Sequence, residues 1–142
     1  MNSLSLVVGA RPNFMKAAPL MAALAEHDRL QAQLVHTGQH FDVNMSDVFF
    51  KQLGMAEPDV YLDIHGGSAA SQVGRTILAL EDLWTMQGPH MVVVFGDVNA
   101  TLAAAVTANK LDLPLAHVEA GLRSFDRTMP EEHNRIVTDM LA

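Results

Sequence analysis

Short hydrophobic segments alternate with segments of helical periodicity along most of this chain. Residues 4–8 and Met91–Phe95 are mainly apolar, and a glycine directly follows each of them. Residues 32–36 and 113–118 have the same short, hydrophobic character. Strands without a strict polar–apolar alternation are typical of a parallel sheet that is covered on both faces, so we predict parallel strands at these four places.

The segments between these strands have the pattern of helices. The clearest is 68–86, in which apolar side chains recur every three or four residues from Val73 to Trp84 and therefore share one face. Ser68 can cap the first turn of this helix, and Gly88 can end it. Weaker helical patterns occupy residues 17–26, 46–53, 100–110 and 131–142. The alternation of strands and helices predicts an α/β fold, a Rossmann-like doubly wound parallel sheet.

Composition narrows the class of protein. The 142 residues are 49% hydrophobic and 18% charged, which is enough apolar material for one folded domain. The formal net charge is −7, and no basic stripe is present, so a nucleic-acid partner is not expected. No apolar run approaches the roughly 18–20 residues that cross a bilayer, and no targeting segment is recognisable. We therefore expect a cytoplasmic protein without a membrane partner.

Metal chemistry has little support in the sequence. The chain has no cysteine, which excludes disulfides and thiolate metal ligands. None of its seven histidines belongs to an HExxH motif. We predict no bound metal, and we note His117 as the histidine nearest to the expected ligand crevice.

The turn after the first predicted strand carries two cations. Arg11 and Lys16 lie at the start of the first helix, where Gly9 permits a tight turn and exposed backbone amides can face an anion. The two side chains could hold a diphosphate or sugar hydroxyls, and the alternative is a surface turn with two solvated charges. The turn lacks the glycine spacing of a Walker loop or of a dinucleotide fingerprint.

Acidic side chains follow two of the other strands. Asp97 follows Met91–Phe95 after a single glycine, and its alternative role is to cap the next helix. Glu119 follows residues 113–118, and the alternative there is a structural ion pair with Arg123. Ligands of open α/β sheets bind beyond the carboxyl ends of the strands, so both carboxylates are candidates for proton transfer.

A third acidic segment, Met129-Pro130-Glu131-Glu132, opens the last helical pattern. Thr128 and Glu131 fit a capping box with a proline in the first turn, which gives this glutamate a structural explanation. The functional alternative is that Glu131 takes part in catalysis.

Several segments, in their order along the chain, resemble the non-hydrolysing UDP-N-acetylglucosamine 2-epimerase family. They are GARPNFMKAAPL, VHTGQHFDVNMSDVFF, FGDVNATLA and HVEAGLRSFDRTMPEEHNR, and the pair HVEAGLR and MPEE is the most specific. The resemblance implies the first domain of a two-domain GT-B architecture, with the active site in the cleft between two Rossmann-like domains. It also implies that residues 1–142 are an N-terminal fragment, that an absent C-terminal domain binds UDP, and that this fragment alone is inactive.

The family that the chain resembles consists of isomerases. They reversibly convert UDP-N-acetylglucosamine to UDP-N-acetylmannosamine for polysaccharide biosynthesis, by eliminating UDP and adding it back. A base must remove the C2 proton, and cations or amides must stabilise the departing diphosphate. This route requires no cofactor.

Residue by residue, the resemblance implies a UDP-sugar site. Arg11 and Lys16 match a basic pair that contacts the ligand, and Asp97 and Glu119 match acidic residues of the substrate site. Glu131 matches a glutamate implicated in catalysis. We therefore predict that Asp97, Glu119 and Glu131 transfer protons and orient hydroxyls. We also expect the basic pair, Asp97 and Glu119 to converge at one rim of the sheet.

Regulation and assembly are also implied by the resemblance. Gln39 and His40 match the start of a loop at which some members bind a second, activating UDP-sugar, although Phe41 and Asp42 differ from those members. The family is often dimeric, so a homodimer is expected.

Three alternatives stay open on the sequence. The stretch LDIHGGSAASQVGRTILALEDL also resembles a sister group that acts on UDP-2,3-diacetamido-2,3-dideoxyglucuronate, a more anionic sugar. A GT-B glycosyltransferase shares the two-domain plan, although HVEAGLR and MPEE argue against it. The third alternative is a non-catalytic stand-alone domain.

Overall fold

The central element is a sheet of parallel strands. The structure, a computed structural model, describes residues 1–38 and 57–142, apart from the side chain of Arg11. Within these ranges the sheet has five strands in the order β3-β2-β1-β4-β5. The strands are β1 (Asn2–Val8), β2 (Leu30–His36), β3 (Val60–Tyr61), β4 (Met91–Phe95) and β5 (Leu115–Val118). All recorded pairings are parallel, which confirms the doubly wound α/β prediction.

Four helices are described. They are α1 (Arg11–Ala25), α2 (Ala69–Gln87), α3 (Asn99–Lys110) and α4 (Pro130–Leu141). The predicted ends of α2 are confirmed, since the hydroxyl of Ser68 accepts a hydrogen bond from the amide of Ser71 at 3.1 Å. At the other end, Gly88 takes the left-handed conformation and donates its amide to the carbonyl of Trp84 at 2.8 Å. No described helix is long and apolar enough to cross a membrane.

Side chains of the central strands alternate between two hydrophobic cores. Leu6 and Val8 of β1 point to the core that contains Phe14 of α1. Val7, between them, points to the opposite core, which contains Trp84 of α2 together with alanines of α3. The helices therefore cover both faces of the sheet, as the continuous hydrophobic strands predict.

The strand order places a ligand crevice between β1 and β4. These strands are neighbours, but the helices that follow them pack on opposite faces, α1 in one core and α3 in the other. The chain thus leaves the ends of β1 and β4 toward opposite faces of the sheet. Open α/β sheets bind their ligands at a point of this kind.

The start of α4 differs from the prediction. Its N-cap is Met129, with no capping hydrogen bond from a side chain, so the expected capping box of Thr128 and Glu131 is wrong. Thr128 bonds to Asp126 instead, at 2.6 Å between its hydroxyl and the carboxylate. Glu131 is therefore not committed to capping the helix. The helix predicted at residues 46–53 lies outside the described residues.

Candidate functional site

A buried asparagine ties together the ends of the two central strands. Oδ1 of Asn13 accepts hydrogen bonds from the amides of Gly9 and Ala10 at 3.0 and 3.3 Å. Nδ2 of the same side chain donates to the carbonyl of Phe95 at 3.1 Å. The amides of Gly9 and Ala10 are therefore bound within the protein.

Three of the predicted residues meet around Arg135, which the sequence analysis missed. Nη2 of Arg135 lies 2.9 Å from Oδ2 of Asp97 and 2.9 Å from Oε1 of Glu119. Nη1 donates to the backbone carbonyl of Glu119. Lys16 of α1 forms an ion pair with the other carboxylate oxygen of Glu119. Lys16, Asp97 and Glu119 thus lie together at the carboxyl ends of the strands. Arg11 is the first residue of α1, but its side chain lies outside what the structure describes.

Of the two cations in this cluster Arg135 is buried, whereas Lys16 and the two carboxylates are partly accessible. The side chain of Arg135 is 7% exposed, whereas that of Asp97 is 33% and that of Glu119 is 28% exposed. A ligand in the crevice can therefore reach the two carboxylates, while Arg135 supports them from behind. This arrangement presents negative charge to the ligand and keeps its counter-charge fixed.

The surroundings of Glu119 stabilise its ionised form. The hydrogen bond from Lys16 lowers the pKa of Glu119 most, burial opposes it, and Arg135 lowers the pKa further. Burial tends to lower the pKa of Arg135, but its bonds to Glu119 and Asp97 raise that pKa overall. Glu119 is consequently a carboxylate at neutral pH, able to accept a hydrogen bond from a sugar hydroxyl.

The backbone is left-handed at two positions of the site. Glu119 has φ 67°, which is strained for a residue with a side chain, and the bond from Arg135 to its carbonyl holds it there. Gly96 has φ 70°, and a Cβ at this position would lie 3.8 Å from Oε1 of Glu119. Arg135 therefore fixes both the carboxylate and the backbone of Glu119.

Helix α4 also fixes the backbone of Asp97. Nδ2 of Asn134, a buried residue, donates to the carbonyl of Asp97 at 2.9 Å and to Oδ1 of Asn99 at 3.1 Å. Asp97 does not cap α3, whose N-cap is Val98 without a side-chain hydrogen bond, so the structural alternative for this aspartate is wrong. Adjacent residues of α4, Asn134 and Arg135, thus hold the main chain and the carboxylate of one predicted catalytic residue.

The two neighbouring glutamates of α4 have different surroundings. Glu132 is 4% exposed, and its carboxylate accepts hydrogen bonds from the amides of Ser124 at 2.9 Å and Phe125 at 2.7 Å. The Ser124 amide contributes most to lowering the pKa of Glu132. Glu131 is exposed and has no hydrogen bond or ion pair to the described side chains. It lies four residues before Arg135 and therefore on the same side of the helix, one turn away.

Replacing Glu132 with Gln is expected to loosen the loop formed by residues 120–129. A glutamine has one acceptor oxygen where two amides need acceptors, and its NH₂ would face one of those amides. We predict that amide hydrogen exchange at Ser124 and Phe125 accelerates at least about 10-fold, because both amides lose a charged acceptor. The matched control, Glu131→Gln, should leave both rates unchanged. Equal rates in both variants would show that Glu132 does not hold the loop.

The remaining predictions from the sequence concern an ion pair of Arg123, an activator site and a metal site. Arg123 pairs with Asp139 at 2.6 Å and not with Glu119, so the structural ion pair proposed from the sequence is wrong. Gln39 and His40, the candidates for an activator site, lie outside the described residues. Among the residues that are described, no group of three or more histidine or acidic side chains could hold a metal ion.

A protein-family model and individual relatives both match this chain to UDP-sugar 2-epimerases. Residues 22–142 match the family model described as UDP-N-acetylglucosamine 2-epimerase. The chain is 52% identical over 136 residues to UDP-2,3-diacetamido-2,3-dideoxy-D-glucuronate 2-epimerase of Pseudomonas aeruginosa, covering 96% of this chain and 38% of that protein. It is 42% identical over 139 residues to UDP-N-acetylglucosamine 2-epimerase of Methanocaldococcus jannaschii, covering 98% of this chain and 38% of that protein.

Solved structures of UDP-GlcNAc 2-epimerases also match this chain. The crystal structure of the Methanocaldococcus jannaschii UDP-GlcNAc 2-epimerase in complex with UDP-GlcNAc and UDP matches with a TM-score of 0.94 at 41% identity, covering 99% of this chain and 38% of that one. The chain therefore spans 38% of the length of these relatives.

Proposed function

Because the chain belongs to the UDP-N-acetylglucosamine 2-epimerase family, we propose that it is the sugar-positioning domain of an enzyme that reversibly inverts C2 of UDP-N-acetylglucosamine. The observation that carries this proposal is the convergence of Lys16, Asp97 and Glu119 around the buried Arg135. Two accessible carboxylates with a fixed counter-charge suit a reaction in which a carbon acid loses and regains a proton.

The two carboxylates are suited to different roles. Both oxygens of Glu119 are engaged, one by Lys16 and one by Arg135, which suits a group that orients a sugar hydroxyl. Asp97 uses only Oδ2 for Arg135, and Oδ1 has no hydrogen-bond partner among the described residues. We assign Asp97 the transfer of the C2 proton. Glu131, exposed one helical turn from Arg135, is the third carboxylate that could exchange protons with the sugar.

The proposed reaction proceeds in two balanced steps. A carboxylate removes the C2 proton, the C2–H electron pair forms a C1–C2 double bond, and the C1–O electron pair leaves with UDP. In the second step a diphosphate oxygen of UDP forms the new bond to C1, and the electron pair of the C1–C2 double bond takes up a proton on the opposite face of C2. Lys16 is placed to neutralise negative charge near the sugar while the diphosphate departs. We propose the same purpose for Arg11.

The substrate has one specific alternative. The chain is more similar to the Pseudomonas aeruginosa relative, at 52% identity, than to the Methanocaldococcus jannaschii relative, at 42%. The higher sequence identity supports UDP-2,3-diacetamido-2,3-dideoxyglucuronate as a second candidate substrate. The same residues would act on it. We further propose that a second domain binds UDP, that the active form is a homodimer and that it works in the cytoplasm.

The test uses a hybrid enzyme, in which residues 1–142 replace the aligned N-terminal segment of the Methanocaldococcus jannaschii epimerase. UDP-sugars that carry deuterium at C2 are incubated with the hybrid, and loss of deuterium to water is followed by mass spectrometry. We expect exchange with UDP-N-acetylglucosamine, and exchange only with the diacetamido glucuronate would select the second candidate. A folded hybrid that binds UDP but exchanges neither substrate would contradict the epimerase proposal and favour a glycosyltransferase or a binding domain.

A further inference from the structure

A second cluster of charged groups lies behind Asp97 and Glu119. Its centre is His117 of β5, whose side chain is 1% exposed. Nδ1 of the ring lies 2.7 Å from Oδ1 of Asp139 in α4. Nε2 lies 2.7 Å from the backbone carbonyl of Gly96, the residue before Asp97. The ring thus connects α4 to the turn that carries one of the proposed catalytic carboxylates.

Both atoms that face the His117 ring are hydrogen-bond acceptors. A backbone carbonyl can only accept, so Nε2 must carry a hydrogen. Nδ1 must also carry one unless the proton lies on Asp139 instead. The other oxygen of Asp139 already accepts from Arg123 Nη1 at 2.6 Å and from the amide of Gly121 at 3.0 Å.

The surroundings of Asp139 favour its ionised form. Burial raises the pKa of Asp139, but the hydrogen bonds from Arg123, from the Gly121 amide and from His117 together lower it below its ordinary value. An ionised Asp139 leaves the proton on the ring. Asp139 then lies between two cations, the buried His117 and the partly exposed Arg123, and each cation has this carboxylate as its opposite partner.

We propose that His117 is held as an imidazolium, with hydrogen on both ring nitrogens, and that it is a positioning residue for the two catalytic carboxylates. Its Nε2 holds the carbonyl of Gly96 at the left-handed turn before Asp97. Through Asp139 it is linked to the amide of Gly121, two residues after Glu119. The ring therefore fixes the main chain beside both carboxylates without touching the substrate. The protonation state rests on the contacts alone, and the positioning role also rests on the proposed function.

Nitrogen NMR of the imidazole rings tests the protonation state directly. Two-bond proton–nitrogen correlation spectra of the uniformly ¹⁵N-labelled 142-residue chain at neutral pH should show hydrogen on both nitrogens of His117. His90 is an internal reference, because its Nδ1 accepts a hydrogen bond from the amide of Ser3 and must be bare for that bond. In Asp139→Asn the anionic partner is lost, and His117 should keep hydrogen on Nε2 only. A bare nitrogen on His117 in the unsubstituted chain overturns the imidazolium.

Kinetics of the hybrid enzyme test the positioning role separately. His117→Gln retains one donor but cannot bridge Gly96 and Asp139, so we expect kcat to fall about 10- to 100-fold through misplacement of Asp97. KM should stay unchanged, because a side chain that is 1% exposed is closed to a ligand in the crevice. We expect Asp139→Asn to lower kcat in the same way and to leave KM unchanged. If kcat is unchanged in both variants while the NMR pattern is as expected, His117 does not position the carboxylates. The proposed function would still stand, because it is tested on the unsubstituted hybrid.

Discussion

Replacing Asp97 with Asn, or Glu119 with Gln, in the hybrid enzyme is expected to lower kcat for epimerisation at least about 100-fold. Each amide keeps the size of the carboxylate and one oxygen that can accept from Arg135, so the fold should persist. What is lost is the ability to take a proton at Asp97, or to orient a hydroxyl as an anion at Glu119. The Asp97 variant should also lose exchange of the C2 deuterium, which separates proton transfer from binding.

Asp126→Asn is the matched control for these substitutions. Asp126 is an exposed carboxylate of the neighbouring loop, and its partner is Thr128 rather than Arg135. Its replacement removes one negative charge near the site but none that belongs to the cluster, so kcat should stay near normal. Normal turnover in both the Asp97 and the Glu119 variants would reject their assignment.

Replacing Arg135 with Met is expected to destabilise the chain by about 2–3 kcal/mol, the range for leaving charged hydrogen-bonding groups unmatched. Methionine fills much of the volume, but it leaves the carboxylates of Asp97 and Glu119 close together without their shared cation. It also removes the bond that holds the strained carbonyl of Glu119. Both carboxylates keep partial contact with water, and the Asp97 side chain is 33% exposed. The loss of stability is therefore smaller than for a fully buried ion pair.

Urea unfolding of the 142-residue chain measures this difference, with the denaturant dependence checked to be unchanged. Arg127→Met is the control, because Arg127 is exposed on the nearby loop, and surface substitutions of this kind change stability by about 0.5 kcal/mol or less. Arg135→Lys should recover only part of the loss, since an ammonium lacks the planar fork that reaches both carboxylates and the carbonyl. Equal stability of Arg135→Met and Arg127→Met would show that Arg135 does not support the site.

The elements that depend on local pattern could be read from the sequence. Four strands were recognised because each is a short hydrophobic run, and the ends of α2 because Ser68 and Gly88 have the local chemistry of caps. Strand β3 was missed, since Val60–Tyr61 is only two residues long and is defined by pairing with β2 rather than by its own pattern. Its existence depends on contacts between distant parts of the chain.

The candidate site was predictable only in part. Lys16, Asp97 and Glu119 were identified because each follows a strand at the same edge of the sheet. Arg135 and Asn134 were missed because they lie in the middle of a helix, where charged and polar residues normally face solvent. Their burial follows from the packing of α4 against the ends of the sheet, and one signal was available, namely the spacing of four residues between Glu131 and Arg135.

The sequence also did not indicate which arginine pairs with which carboxylate. Arg123 is the arginine nearest to Glu119 along the chain, whereas Arg135, sixteen residues away, is the one that contacts Glu119 in the fold. The loop instead directs Arg123 to Asp139, because the amide of Gly121 and the ring of His117 hold that carboxylate in place. Which arginine serves the site is therefore decided by the position of Asp139 on α4.

A crystal structure of the Asp97→Asn hybrid with UDP-N-acetylglucosamine bound would show whether the carboxylates held by Arg135 face the reacting carbon. We expect C2 of the sugar to lie within about 3–3.5 Å of the residue 97 side chain, the separation from which a proton can be transferred. We also expect a sugar hydroxyl to donate to Glu119 while Arg135 remains behind both groups. A bound sugar whose C2 faces away from both residues, with Arg135 still in place, would refute the assignment of Asp97 and Glu119.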